Sequence, residues 1–293
     1  MNARLSLLAL VIGGAASAQA AQFQAGSNAS VGLSILNVQQ SDPHSQSGTV
    51  AASTNSQAAL AGAGQSAVAH ATAAAEAGAL HVYATGLASN PQDYSGGVNA
   101  PTSASASFQD SFILQAAGYD SGTVAWVTAA VSIDGVVMQH DGAGEYRYAQ
   151  RWAADLTVGS SLSSFSWSDF ASNYVSCDAC SNHSSLGPKA FGFYAVIGAA
   201  NGISMSLGVD NNIFMNNGPG GFSSGTMDLS HTFAWGGITS VTVGGVAVTD
   251  FSALSPDTGF DFASAYQASP VPEPGSAVLW AAGLLLLPWL RRR

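Results

Sequence analysis

Two stretches constrain the fold of this chain most tightly: Phe191, Phe193, Ala195 and Ile197, and then Ile203, Met205, Leu207 and Val209, where an apolar side chain returns at every second position. A repeat of two belongs to strands, whose successive side chains leave on opposite faces, whereas a helix repeats every three to four residues. The same alternation runs through Leu80, Val82 and Ala84. It recurs at Ala104, Ala106 and Phe108, which are separated by serines and followed by Phe112 and Leu114, and again at Val124, Trp126, Thr128 and Ala130. Residues 147–155 read as a further strand, with Tyr146, Tyr148 and Trp152 as candidate packing groups. Turn chemistry separates these runs at Gly118-Tyr119-Asp120-Ser121-Gly122 and at Ile133-Asp134-Gly135, the latter leading into Val136-Val137. Asn201-Gly202 predicts a two-residue hairpin, because both residues tolerate positive φ, and Gly244-Gly245, between Ser240–Val243 and Val246–Thr249, predicts a second. Many short strands punctuated by Gly, Asn and Asp give an all-β expectation: an antiparallel β-sandwich, jelly-roll-like.

Two regions are less decided. Residues 21–66 are rich in Ser, Gln, Asn and Ala, with a weak apolar pattern at Val31, Leu33, Ile35 and Leu36, which predicts one strand and a long exposed loop ahead of a sandwich domain over 67–268. The alanines of 67–77 favour a helix by propensity and a strand by context, and both stay open, while strand is favoured from Leu80 onward.

Charge narrows the partners. Only 8% of residues are charged, so solubility rests on hydroxyls, amides and a few carboxylates. Between Ala21 and Pro270 there are three basic residues, Arg147, Arg151 and Lys189, against fourteen aspartates and two glutamates, a formal charge of −13 with His neutral. Nucleic acid is disfavoured as a partner, since phosphate backbones are held by clustered Lys and Arg. Neutral glycans and divalent cations remain.

The ends of the chain differ from its middle. Arg4, an apolar run from Leu5 to Ala16 and the small residues Ala18-Gln19-Ala20 make a secretory signal over 1–20, with Ala18 and Ala20 at the positions signal peptidase reads. The run is about a dozen residues, too short to cross a hydrocarbon core of roughly 30 Å as a helix. At the other end stand Pro272-Glu273-Pro274, an apolar stretch from Ala277 to Leu290 that reads as a short hydrophobic helix, and Arg291, Arg292 and Arg293 as a basic stop. Basic residues beside a membrane segment stay cytoplasmic, which puts the bulk of the chain outside the inner membrane.

In order, those three parts make the tail over 269–293 similar to the PEP-CTERM sorting signal of Gram-negative bacteria, from which it departs only in carrying Pro288 within the plug. The resemblance implies an exosortase that recognises and cuts near Pro272-Glu273-Pro274. It further implies a transient inner-membrane anchor and a destination at the cell surface or in an exopolysaccharide matrix. It implies no chemistry, because unrelated domains carry such tails.

Searching the middle for chemistry returns little. The chain has neither a phosphate loop nor a His-Glu-x-x-His helix, and no catalytic residue is assigned. The histidines at 44, 70, 81, 140, 183 and 231 show no ligand spacing. Asp141-Gly142-Ala143-Gly144-Glu145 and Asp210-Asn211-Asn212 read as oxygen-rich turns able to hold calcium if the backbone curls, but no metal ligand or cofactor is assigned. Cys177 and Cys180, in an exported chain, read as a disulfide clip within a loop. Trp152, Trp167 and Trp235 are either core or a platform for sugar rings. The expectation is a non-enzymatic structural or adhesive component of the envelope or exopolysaccharide matrix. The alternatives are a lectin-like glycan-binding module and a secreted hydrolase.

Overall fold

A computed structural model of the chain describes residues 20–33, 36–62, 64–90, 97–141, 146–172, 186–215 and 221–267, and these form sixteen strands with no helix among them. One sheet holds β1 (Gln22–Leu33), β2 (Val38–Gly48), β6 (Val98–Asn99), β7 (Thr102–Ala116), β10 (Tyr146–Gly159), β11 (Ser163–Ser172), β13 (Ala200–Met215) and β16 (Phe251–Leu254). The second holds β3 (Ala51–Gly62), β4 (Gln65–Glu76), β5 (Ala79–Asn90), β8 (Val124–Ile133), β9 (Val136–Asp141), β12 (Gly187–Val196), β14 (Gly221–Val243) and β15 (Val246–Val248). Every pairing is antiparallel. The chain is therefore all-β and sandwich-like, with two buried apolar clusters drawn from both sheets, a large one and a smaller one that includes Val31, Leu33, Ala67 and Ile213.

Strand β7 organises the first sheet. It pairs with β13 along one flank, and along the other with β1 up to Gln109 and with β16 from Ile113. Phe108, Phe112 and Leu114 of β7 point inward and are fully buried, as are Phe23 of β1 and Met205 of β13. In the second sheet the long β14 carries β5 on one flank and β9 and then β8 on the other, with register shifts between Leu229 and Phe233 and again after Trp235. These irregularities let one strand serve two consecutive neighbours on the same flank.

Core side chains change size across the second sheet. On β4, Ala67, Ala69, Ala71, Ala73 and Ala75 all face inward and are buried. Farther along, Trp235 stacks edge-on against Phe191 and Phe262, and its indole Nε1 donates to the Phe262 carbonyl at 2.8 Å. Residues after β16 close over this aromatic end: the Phe262 amide donates to Ala253 O at 2.7 Å and the Tyr266 amide to Trp235 O at 2.8 Å.

Several expectations meet a different outcome. Residues 22–62 form three strands rather than one strand and a loop, because the polar residues there alternate with Phe23, Ala25, Ala29 and Val31, enough to pair β1 against β7. The open stretch 67–77 is strand: β3 and β5 bond it on both sides, which outweighs the helical propensity of alanine. Asn201-Gly202 is not a hairpin turn. The chain turns at Ile197–Ala199, with Gly198 at φ 73°, and crosses there from β12 in one sheet to β13 in the other. Asn201 is buried at the start of β13, and its amide accepts from Val196 N at 2.8 Å while donating to Val196 O and Ala199 O, so it braces the turn from outside it. The Gly244-Gly245 hairpin is present, both residues having positive φ between Val243 and Val246. In β8 the buried set is Ala125, Val127, Ala129, Val131 and Ile133, which leaves Val124 and Trp126 facing out.

The signal over 1–20 lies outside the described residues except for Ala20, which is exposed; Ala21, next to it, is buried. The tail from 269 also lies outside them, with Pro272, Glu273, Pro274 and Arg291 to Arg293, as do Cys177 and Cys180.

Two substitutions test this packing. Ala71→Leu forces three extra carbons between the sheets and is expected to cost about 1–3 kcal/mol, while Phe262→Ala is expected to cost about 3–5 kcal/mol. Urea unfolding reads both, and an unchanged midpoint for either contradicts the core described.

Candidate functional site

Most inward residues of the first sheet are apolar, with Ser27, Gln150 and Asn211 as inward polar exceptions, and many of its outward residues are small and hydroxylic. Strand register sets them in lines across the sheet. Ser47, Gln24, Ser107, Ser206, Asp155 and Ser166 form one line from β2 to β11. Ser45, Gly26, Ser105, Gly208, Ala153 and Ser168 form the next. Neighbours within a line stand about 4.8 Å apart, and successive lines roughly 7 Å apart. Asp155 is tied into this surface by Ser166, whose hydroxyl donates to Oδ1 at 2.6 Å. Arg151 is opposite Asp210 in the register of β10 and β13.

Three cavities on this face lie along β7 and β13. The largest, about 680 Å³, is lined by Gln24, Ser105, Ser107, Asp155 and Ser206 among others. A second, about 390 Å³, shares Gly26, Ser105 and Gly208 with it and extends to Asn28, His44 and Asp210. The third, about 490 Å³, begins two residues farther along β7, β10 and β13, at Gln109, Thr157 and Ser204, and continues to Ser111, Gly159, Leu162 and Gly202. The first two overlap, and the third follows them along β7 and β13.

Gly159 and Gly202 lie in the lining of the third cavity, the first packed closely against β12 and the second open toward Leu162. A Cβ on Gly159, at φ 94°, would strike Tyr194 O at 2.5 Å; one on Gly202 would meet only Leu162 Cδ2, at 3.5 Å. Leu162 overhangs Gly202 from the turn between β10 and β11, with φ 50° and 61% of its surface exposed. A bulky residue in the left-handed region costs of order 1 kcal/mol. Beneath lies Ser111, only 4% exposed, whose hydroxyl has no hydrogen-bond partner among the described residues.

Titratable groups lie around this sheet rather than converging on one point. Asp110, buried beside Ser111, accepts from Ser111 N at 2.7 Å, Ser255 Oγ at 2.9 Å and Thr258 Oγ1 at 2.9 Å. Burial pushes its carboxyl above the ordinary 3.8, outweighing those donors, and Asp257 adds to the push. Asp42 on β2 goes the other way: the Gln57 amide, donating at 2.8 Å, holds its carboxyl below 3.8, and the neighbouring His44 helps. That bond, with Ser53 N to Gln46 Oε1 at 3.1 Å, uses side chains of β2 to occupy free amides on the edge of β3. Elsewhere, Glu76 Oε1 stands 3.1 Å from His81 Nε2 and accepts from the Tyr266 hydroxyl, whose ionisation is pushed up first by burial and then by that carboxylate.

Other residues singled out in the sequence fall as follows. Trp152 and Trp235 are core, and Trp167 packs against the core from β11, so these three make no sugar platform. The exposed aromatic pair is one the sequence reading did not single out: Trp126 and Tyr194, edge-to-face at 4.9 Å on the outer face of the second sheet, with Trp126 lying over Gly192. Asp210-Asn211-Asn212 is strand, not turn. Asp210 and Asn212 face out, while Asn211 points inward and donates to Gly225 O of the facing sheet at 2.9 Å, so the three cannot close on one cation. Of the other oxygen-rich stretch, 142–145 lies outside the described residues. Among the described residues no three His, Cys, Asp or Glu side chains gather as a metal group. One motif escaped the sequence reading: Gly221-Phe222-Ser223-Ser224-Gly225 has the spacing of a nucleophile elbow. Here it is extended strand, paired with β5 and β9, and Ser223 is buried and accepts from Gln139 Nε2 at 3.0 Å, whereas an elbow needs a sharp turn and an exposed hydroxyl.

No family model, curated protein or solved structure matches the chain.

The two aspartates titrate in opposite senses. With its folded value below 3.8, Asp42 contributes stability above 3.8 that is lost as pH falls through that lower value; Asp110, raised, contributes stability below 3.8 that is lost as pH rises through its folded value. Carboxyl carbon-13 titration is expected to place the Asp42 midpoint below 3.8 and that of Asp110 above it. The reverse order contradicts the hydrogen-bond and burial assignments.

Proposed function

We propose that this chain is an exported, non-enzymatic structural or adhesive component of the cell envelope or exopolysaccharide matrix, released from a secretory signal and sorted through its C-terminal tail by an exosortase. The observation that carries the adhesive part is the outward face of the first sheet: hydroxyls and an amide in lines across six strands, with cavities along β7 and β13. Hydroxylic polymers exchange hydrogen bonds with such a surface at little desolvation cost to charged groups. Export is supported by the N-terminal signal itself, Arg4 followed by the apolar run Leu5 to Ala16 and the small residues Ala18 and Ala20. The finer architecture reads as jelly-roll-like, because the chain changes sheets at each step from β11 to β12, β13 and β14.

A lectin-like reading has an observation of its own, the exposed Trp126–Tyr194 pair, since sugar rings stack on such faces.

Intact-mass measurement on the protein from its host tests processing. The expected species begins at Ala21 and lacks the residues after about Pro274, and cells without the sorting protease keep the tail; Arg293 retained in both contradicts sorting. Adhesion is tested by washing the isolated matrix. Contacts made by hydroxyls are expected to survive about 1 M salt, where charge contacts are screened within about 3 Å, and release of the protein by salt contradicts the surface proposed.

A further inference from the structure

We infer that the chain cuts itself between Asp42 and Pro43 when the medium turns mildly acidic, with the Asp42 carboxylate as nucleophile and His44 as proton donor; this stands apart from the adhesive reading above. Asp42-Pro43 is the only Asp-Pro bond in the sequence, and it lies within β2, where the side chains on either side of Pro43 leave on one face. His44 Nε2 is 2.8 Å from Asp42 Oδ1, and the Gln57 amide donates to Oδ2 at 2.8 Å. The Gln57 contact keeps the carboxyl ionised to a lower pH than usual, so the nucleophile and a protonated imidazole coexist in mild acid. Water reaches the pair, because Asp42 is half-buried and Pro43 and His44 are exposed. Few other charges act there. The strands packed against β2, β1 and β3, carry none, and beyond them Asp210 of β13 shares the second cavity with His44.

The step is short. A carboxylate oxygen of Asp42 adds to the carbonyl carbon of the same residue and closes a five-membered cyclic anhydride, a ring for which no other residue has to be brought up. The bond from that carbon to Pro43 N breaks, and the His44 imidazolium gives its proton to the leaving nitrogen. Water, the one co-reactant, opens the anhydride into two carboxylates; of the two protons released, one returns to His44 and the other stays on the Pro43 amine. One peptide bond and one water thus become an acid at Asp42 and an amine at Pro43. Proline also spares the sheet, since its nitrogen has no N–H to lose from the ladder. Residues on both sides of the cut are paired with β1, so the two pieces stay together in the folded protein.

Intact mass of the full chain, incubated folded in detergent and denatured only for the readout, follows the reaction. Over days at about pH 5 a piece ending at Asp42 and a remainder beginning at Pro43 are expected, while at about pH 8 the chain is expected to stay whole. Asp42→Asn and Pro43→Ala are expected to stay whole at both, and His44→Ala to be cut about a hundredfold more slowly at the lower pH. Plain acid hydrolysis of an Asp-Pro bond needs no fold, so the same incubation in urea that unfolds the wild type tells the two apart, and there the cut is expected to stop. A wild-type chain still whole at the lower pH, an equal rate in urea, or an equal rate in His44→Ala overturns the assignment.

Discussion

Every outward side chain of the first sheet is placed by what lies behind it. With Phe108 paired to Phe23 across β7 and β1, and Met205 beside it on β13, the inner face admits one register, and a slip of one residue would drive serines into the core. That constraint lines Ser105, Ser107, Ser206 and Asp155 up on the solvent side. The hydroxyl surface is thus a consequence of the aromatic and methionine core, and β7, bonded on both flanks, holds the two together.

Low charge makes that arrangement consequential. A surface with so few charged groups is kept soluble by hydroxyls and amides, the same groups that recognise sugars. Sheet edges are handled likewise: Asp42 and Gln46 reach from β2 to the free amides of β3, where many proteins place lysines.

Much of the fold is legible in the sequence because period-two patterns have one structural meaning. The runs at 80–84, 104–108, 191–197 and 203–209 are strands with those apolar residues inside, and Gly244-Gly245 is a hairpin. Legibility fails where one residue type serves two roles. Asn201 looks like a turn residue and does brace a turn, but from within the following strand; Asp210-Asn211-Asn212 looks like a turn and is a strand whose middle residue bridges the sheets. The alanines of β4 carry no strand signal of their own and are fixed by β3 and β5. As for the site, its serines are visible in the sequence only as spacers between apolar residues. Their alignment across six strands depends on long-range register, which local pattern does not encode.

Amide hydrogen exchange on the full chain, with and without a neutral hexose oligosaccharide, tests the central claim most directly, namely that the outward face of the first sheet is the working surface. Slowed exchange is predicted at the cavities of that face, in segments 105–111, 157–162 and 202–208, with segments 124–126 and 192–194 of the second sheet unchanged. Slowing confined to those second-sheet segments, or none anywhere while the oligosaccharide is bound, would contradict it.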